Sequence, residues 1–246
     1  NICRLVLTEG GYLFDMAQEI ISSELRELSV YNTILSAIAQ GHNKLNDLFL
    51  TTGYSRAKIS VYMKNLSHFD IVEKIVSFET GGWDNAKKGI YRIKDTFVNF
   101  WFKFVFPYMS DLYRLTPEDF YDKHIEKELD SYMNRYFCDV CMEYLQLLNK
   151  IGRVPFAIHK MGTWIGKTGT IDIIAQSSDR QNIVGLCNWE KPYLTMEMCE
   201  KLYESMEKAR VQSNHFYLFS AKAFEPALIE VAKKDSRFEL IDMNEL

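Results

Sequence analysis

The stretch "GTIDIIAQSSDRQNIVGLCNWE", Gly169 to Glu190, decides how the second half of this chain folds. Two apolar runs, Thr170–Ala175 and Ile183–Trp189, flank the polar segment Gln176–Asn182, the pattern of two strands joined by a turn. A hairpin centred near residue 179 sets Asp172 opposite Leu186, and side-chain alternation then puts Asn188 on the same sheet face. The first strand therefore presents a single carboxylate.

Just upstream, Gly166-Lys167-Thr168 looks like the end of a nucleotide-binding P-loop. Such a loop needs a glycine five residues earlier and a helix directly after, so that backbone amides curl round the phosphates. Met161 occupies the glycine position, Gly162 is one residue too close, and a strand follows Thr168. A turn between strands accounts for these residues better.

Outward from the hairpin, a helix carries Cys199, Leu202, Tyr203 and Met206 on one face. A strand over His215–Ser220, a helix over Phe224–Lys233 with Pro226 in its first turn, and a strand over Phe238–Asp242 complete the C-terminal side. On the other side a strand is expected at Phe156–Met161, after a long helix over Ile125–Asn149. That helix repeats Leu129, Met133, Phe137, Val140, Tyr144 and Leu148 close to a 3.6-residue period. The order αβββαβαβ implies a mixed sheet flanked by helices, an α/β (α+β) fold. Cys138-Asp139-Val140-Cys141 is a CxxC, but no second CxxC or histidine pair stands at metal spacing, and Cys141 falls in the apolar stripe as a small hydrophobe. The five histidines are scattered, and no Cys-His or Ser-His-Asp arrangement for nucleophilic catalysis is readable.

The N-terminal half reads as three short helices and a hairpin. Tyr31, Ile34, Leu35 and Ile38 share one helical face, which ends at Gly41; Leu45, Leu48 and Phe49 mark a second helix. After the turn Thr51-Thr52-Gly53, Ser55 caps a third helix carrying Ile59, Tyr62, Met63 and Leu66. Strands over Ile71–Phe78 and Gly89–Ile93, joined by the turn-rich Glu79–Lys88, complete the pattern of a winged helix. From Tyr31 to Lys94 there are nine Lys/Arg against five Asp/Glu, so this region is +4 while the whole chain is −4. Arg56, Lys58 and Lys64 on or beside the recognition helix, and Lys87 and Lys88 near the wing tip, are the candidate contacts to double-stranded DNA.

The net charge excludes a globally basic nucleic-acid binder, and 47% hydrophobic with 14% aromatic residues in 246 excludes disorder. Five cysteines without a framework suit the cytoplasm. The apolar run Phe97–Phe106 has ten residues including Lys103, short of the roughly 20 that span a bilayer, so no membrane association is expected. Packing between two domains is its expected role.

Residues 22–246 resemble the C-terminal half of the archaeal-type ATPases, in which an AAA-like ATPase domain precedes a winged helix and a domain similar to PD-(D/E)xK nucleases. The resemblance rests on Glu24-Leu25-Arg26-Glu27 with Tyr31 and Ile34–Ala39, on Tyr91-Arg92-Ile93-Lys94-Asp95 and Phe100–Pro107, on Ile171–Ala175, on Val184–Trp189 and on Phe219–Phe224. It implies the end of the ATPase lid over 1–21, a winged helix-turn-helix domain over 22–98 and a nuclease-like domain over 99–246. ATP would be bound only by an upstream ATPase domain in cis; no cofactor is expected in this chain. The family's nuclease strand reads Val-Gly-Glu-Cys-Lys-Trp, with a helix glutamate supplying a further ligand. Here Leu186 replaces the glutamate, Asn188 the lysine and Cys138 the helix glutamate. Asp172 survives as a vestigial catalytic residue, and one carboxylate does not hold Mg²⁺, so no metal is expected at it. The alternatives are an active Mg²⁺-dependent nuclease whose site has migrated to Glu190 and Lys191 on a longer strand, or a pure protein-interaction module.

Overall fold

The computed structural model describes residues 1–25, 27–79 and 89–246. The fold is mixed α/β, and the described residues divide into two compact units, one of 1–76 with 89–128 and the other of 77–79 with 129–246.

The first unit opens with a π-helical turn, Cys3–Leu7, and helix α1 (Met16–Glu24). Helices α2 (Leu28–Ala39), α3 (Leu45–Thr52) and α4 (Arg56–His68) follow. The apolar stripe of α2 is buried at Tyr31, Ile34, Leu35 and Ile38. After α3 the chain reverses at Gly53, whose φ of 70° is open to glycine without strain. Ser55 then caps α4, its Oγ accepting the Lys58 amide N–H at 3.2 Å. Ile59, Met63 and Leu66 of α4 turn inward. Tyr62, expected on the same stripe, sits at its margin, stacking at a tilt on Tyr31 while its hydroxyl donates to the Glu27 carboxylate. The helices lead into an antiparallel pair, β1 (Val72–Val76) and β2 (Gly89–Ile93), with Val72 opposite Ile93. The turn expected to link them lies, from Thr80 on, outside the described residues, and Lys87 and Lys88 with it.

The aromatic run winds through α5 (Thr96–Phe100), a π-helical turn (Trp101–Val105) and a 3-10 turn (Phe106–Tyr108). Asp95 caps α5 by accepting the Val98 N–H at 2.8 Å. Trp101, Phe102, Phe104 and Val105 are buried, and the run lies against α2, whose neighbour Gln40 donates its side-chain amide to the Lys103 carbonyl at 2.9 Å. Short helices α6 (Met109–Leu112) and α7 (Pro117–His124) complete the unit. No helix among the described residues is long and apolar enough to cross a membrane.

The second unit is a five-stranded mixed sheet. Long helix α8 (Glu126–Lys150) leads to β3 (Lys160–Ile165), β4 (Thr170–Gln176) and β5 (Asn182–Asn188). Then come β6 (Tyr193–Leu194), α9 (Met196–Ala209), β7 (His215–Ser220), β8 (Ala223–Phe224), α10 (Pro226–Lys234) and β9 (Phe238–Asp242). The sheet order is β3-β4-β5-β7-β9, with β6 and β8 paired separately. The β3-β4-β5 pairings are antiparallel, whereas β5-β7 and β7-β9 are parallel, as connections through whole helices require. On one face Phe137, Cys141 and Leu145 of α8 pack on Ile173, Ala175, Ile183, Cys187 and Phe219. On the other, Cys199, Leu202 and Met206 of α9 and Leu228 of α10 cover Ile171, Ile174, Val184 and Leu218. Burial on both faces explains why β4 and β5 read as nearly continuous apolar runs.

Two expectations need correction. Strand β3 occupies Lys160–Ile165, not Phe156–Met161, because the Asn149 side chain at the end of α8 binds both the N–H and the C=O of Ile158 and keeps that segment off the sheet. Strand β1 stops at Val76, not Phe78, because the Phe78 N–H donates to the Thr163 carbonyl at 2.8 Å and its ring is buried in the second unit's core.

Candidate functional site

The β4–β5 ladder pairs Ile173 with Gly185, Ile174 with Val184, Ala175 with Ile183 and Gln176 with Asn182, the register expected from a turn centred near residue 179. At Asp172 the pairing changes character. On its other edge β4 matches β3 with Gly162 opposite Ile174 and Trp164 opposite Ile171, so three steps along β4 face two along β3. The extra residue makes a β-bulge around Asp172, which bends the strand and re-aims a side chain. The Asp172 carbonyl accepts the Thr163 hydroxyl at 2.8 Å, and its Oδ2 accepts the Cys187 amide N–H at 2.9 Å.

The bulge corrects the expected geometry. A carboxylate oxygen of Asp172 and the thiol sulfurs of Cys138 on α8 and Cys187 on β5 all lie within 4.8 Å of one another. Leu186 instead packs into the α9-side core, and it borders with Asp172, Met198, Lys201, Leu202 and Lys208 a groove of about 340 Å³. Asn188 is buried, donating to the Lys191 carbonyl at 2.9 Å and the Ser220 hydroxyl at 3.3 Å and accepting the Lys191 N–H at 3.0 Å. The residue types that gather round the Asp172 carboxylate are therefore thiols.

Burial strips water from the Asp172 carboxylate and raises its pKa to about 6, against the pull of the Cys187 N–H. Burial, and then hydrogen bonds to the Cys138 and Cys141 sulfurs, push the Cys187 thiol well above its usual range. A hard cation such as Mg²⁺ takes oxygen ligands, and one carboxylate with two sulfurs is a poor set for it.

Glu190 and Lys191 lie beyond the sheet. Strand β5 ends at Asn188, whose side chain folds Lys191 back into a turn, while the Trp189 N–H donates to Asn134 of α8 at 2.8 Å. The continuation that would carry Glu190 toward Asp172 does not form. Glu190 and Lys191 pair with each other at 3.4 Å, their side chains 43% and 64% exposed. Gly166-Lys167-Thr168 form the β3–β4 turn, closed by the Gly166 N–H donating to the Gly169 carbonyl at 2.9 Å.

Arg56, Lys58 and Lys64 are exposed on α4. Arg56 is drawn toward α3, donating to Asn46 at 2.6 Å and lying 4.0 Å over the Phe49 ring. Lys58 lies 4.5 Å over Tyr54. The outward stripe of α4, Ala57, Ser60, Val61 and Lys64 at helical spacing, carries one of these three cations. Arg92 and Lys94 are matched by Glu73 and Asp70 at 2.7 and 2.5 Å, so part of the regional positive charge is neutralised locally.

Residues 101–206 match the family DUF234. Its description is archaea bacterial proteins of unknown function, and the matched segment contains Cys138, Asp172 and Cys187. An uncharacterized protein of Methanocaldococcus jannaschii is 30% identical over 173 residues, 70% of this chain, which spans only 38% of that relative. No solved structure matches. The residue missed in the sequence was Cys187: the CxxC of α8 looked isolated because its third thiol is on β5, and strand parity, which sets Cys187 on the opposite face from Leu186, was the available signal.

Proposed function

We propose that this chain is the C-terminal part of an archaeal-type ATPase, in which a winged helix within 22–98 contacts double-stranded DNA or a partner protein and a nuclease-like domain within 99–246 has lost its catalytic ligands. The observation that carries the reading is the placement of Cys138 beside Asp172. The resemblance assigns a glutamate to that helix position, and the closeness of Cys138 to Asp172 supports the assignment, with a thiol in place of the carboxylate. The order of α2, α3, α4, β1 and β2 supports the winged helix. Most of the Methanocaldococcus relative lies outside the match, which leaves room there for an ATPase module. In this reading ATP binding belongs to such a module, outside this chain.

A protein rather than a DNA partner for the winged helix is supported by its exposed apolar side chains, with Val61 59% and Leu50 70% exposed. The nuclease reading is tested by returning the family ligands together, Leu186→Glu, Asn188→Lys and Cys138→Glu. Gain of Mg²⁺-dependent DNA cleavage by this variant over an inactive parent supports a degenerate nuclease, and a parent as active as the variant overturns it.

A further inference from the structure

We propose that Cys138, Cys187 and Asp172 form a zinc site. This goes beyond the reading above, which concerns a lost hard-cation site. Three donors from α8, β5 and β4 converge with their ligand atoms within 4.8 Å of one another. Zinc at about 2.3 Å from sulfur in tetrahedral geometry sets neighbouring ligand atoms about 3.8 Å apart, so side-chain rotation of the order of 1 Å closes the site. Thiolates select soft or borderline metals, and the carboxylate completes a mixed set that zinc accepts and Mg²⁺ does not.

The surroundings fit a metal centre. Oδ2 of Asp172 is oriented by the Cys187 N–H at 2.9 Å, the kind of outer hydrogen bond that fixes a ligating carboxylate. Cys141, buried one helical turn beyond Cys138, hydrogen-bonds to the Cys187 thiol and is a candidate fourth donor. Helix α8 and strand β5 belong to the same packed core, so a bound zinc would staple them. As each S–Zn bond forms, the thiol proton passes to solvent, and two thiolates with one carboxylate leave a net charge of −1 around Zn²⁺.

The test uses the full chain, reduced, stripped with a chelator and titrated with Co²⁺ and then Zn²⁺. One Co²⁺ per chain is expected, with sulfur-to-cobalt charge-transfer absorption and the visible bands of a tetrahedral ion, both erased by Zn²⁺. Cys138→Ser, at a partly buried position, should weaken uptake at least about tenfold, while Cys3→Ser, in the other unit, leaves it unchanged; far-UV circular dichroism checks that each variant is folded. Absence of thiolate–cobalt bands in the folded parent overturns the proposal, as does undiminished uptake by Cys138→Ser. A Cys138–Cys187 disulfide that forms in the presence of saturating Zn²⁺ overturns it in favour of redox chemistry. Metal uptake is read without DNA, so its failure is distinct from that of the nuclease reading.

Discussion

The Asp172 carboxylate accepts the Cys187 amide N–H at 2.9 Å, just beyond the last β4–β5 ladder pair, Ile173 with Gly185. A side-chain oxygen thus serves where a main-chain carbonyl would have continued the ladder. The bulge that makes this possible also carries the carboxylate to the thiols of α8 and β5. Asp172 is thus a structural acceptor within the sheet.

The charge of Asp172 should cost stability. The native pKa of Asp172 is about 6, against about 3.9 for an unfolded Asp. Because the native state holds the proton more tightly, this group's contribution is complete below about pH 4 and is lost as pH rises through 6. An asparagine side chain at this position keeps an acceptor oxygen without the charge. We predict that Asp172→Asn stabilises the chelator-treated chain by about 2–3 kcal/mol near neutral pH and by little near pH 4. Urea denaturation at both pH values measures this, and an equal gain at both contradicts the burial account.

Gly185 pairs with Ile173, and a Cβ there would lie 2.9 Å from the Ile173 Cβ in the buried centre of the sheet. Gly185→Ala is expected to lower unfolding free energy by about 1–3 kcal/mol. A variant as stable as the parent would show that Ile173 shifts aside without cost and would contradict the close approach as a constraint.

Ser55→Ala removes the side-chain acceptor that caps the N-terminus of α4. A loss of about 1 kcal/mol is expected, seen as a lower thermal midpoint of the first unit. No change would mean that solvent caps the helix equally well.

Much of this was legible in the sequence. Ser55 as a cap, the buried stripe of α2 and the β4–β5 register follow from local residue chemistry, and each is seen in the fold. What was hidden depended on contacts between distant segments. The apolar run at Phe156–Ile158 looked like a strand until Asn149 claimed the Ile158 backbone. Strict alternation set Asp172 on the face of Leu186, and the two do border one groove, but a one-residue bulge in the pairing with β3 also brings the carboxylate to the thiols. The meeting of Cys138 with Cys187 joins a helix to a strand that only the tertiary fold brings together.

For the proposed winged helix, binding to double-stranded DNA is predicted to be weak and to fall steeply with salt. Replacing Arg56 and Lys58 with alanine should reduce the slope of log affinity against log salt by about 2. Fluorescence anisotropy over a salt series measures it; an unchanged slope assigns this surface to a protein partner, in keeping with the exposure of Val61.

The central claim, that the proposed nuclease-like domain has lost its chemistry, is tested most directly by incubating the purified chain with single- and double-stranded DNA and with RNA in Mg²⁺ or Mn²⁺. The predicted result is no metal-dependent cleavage, with Asp172→Asn and Glu190→Gln indistinguishable from the parent. Cleavage by the parent that is abolished by either substitution would contradict it.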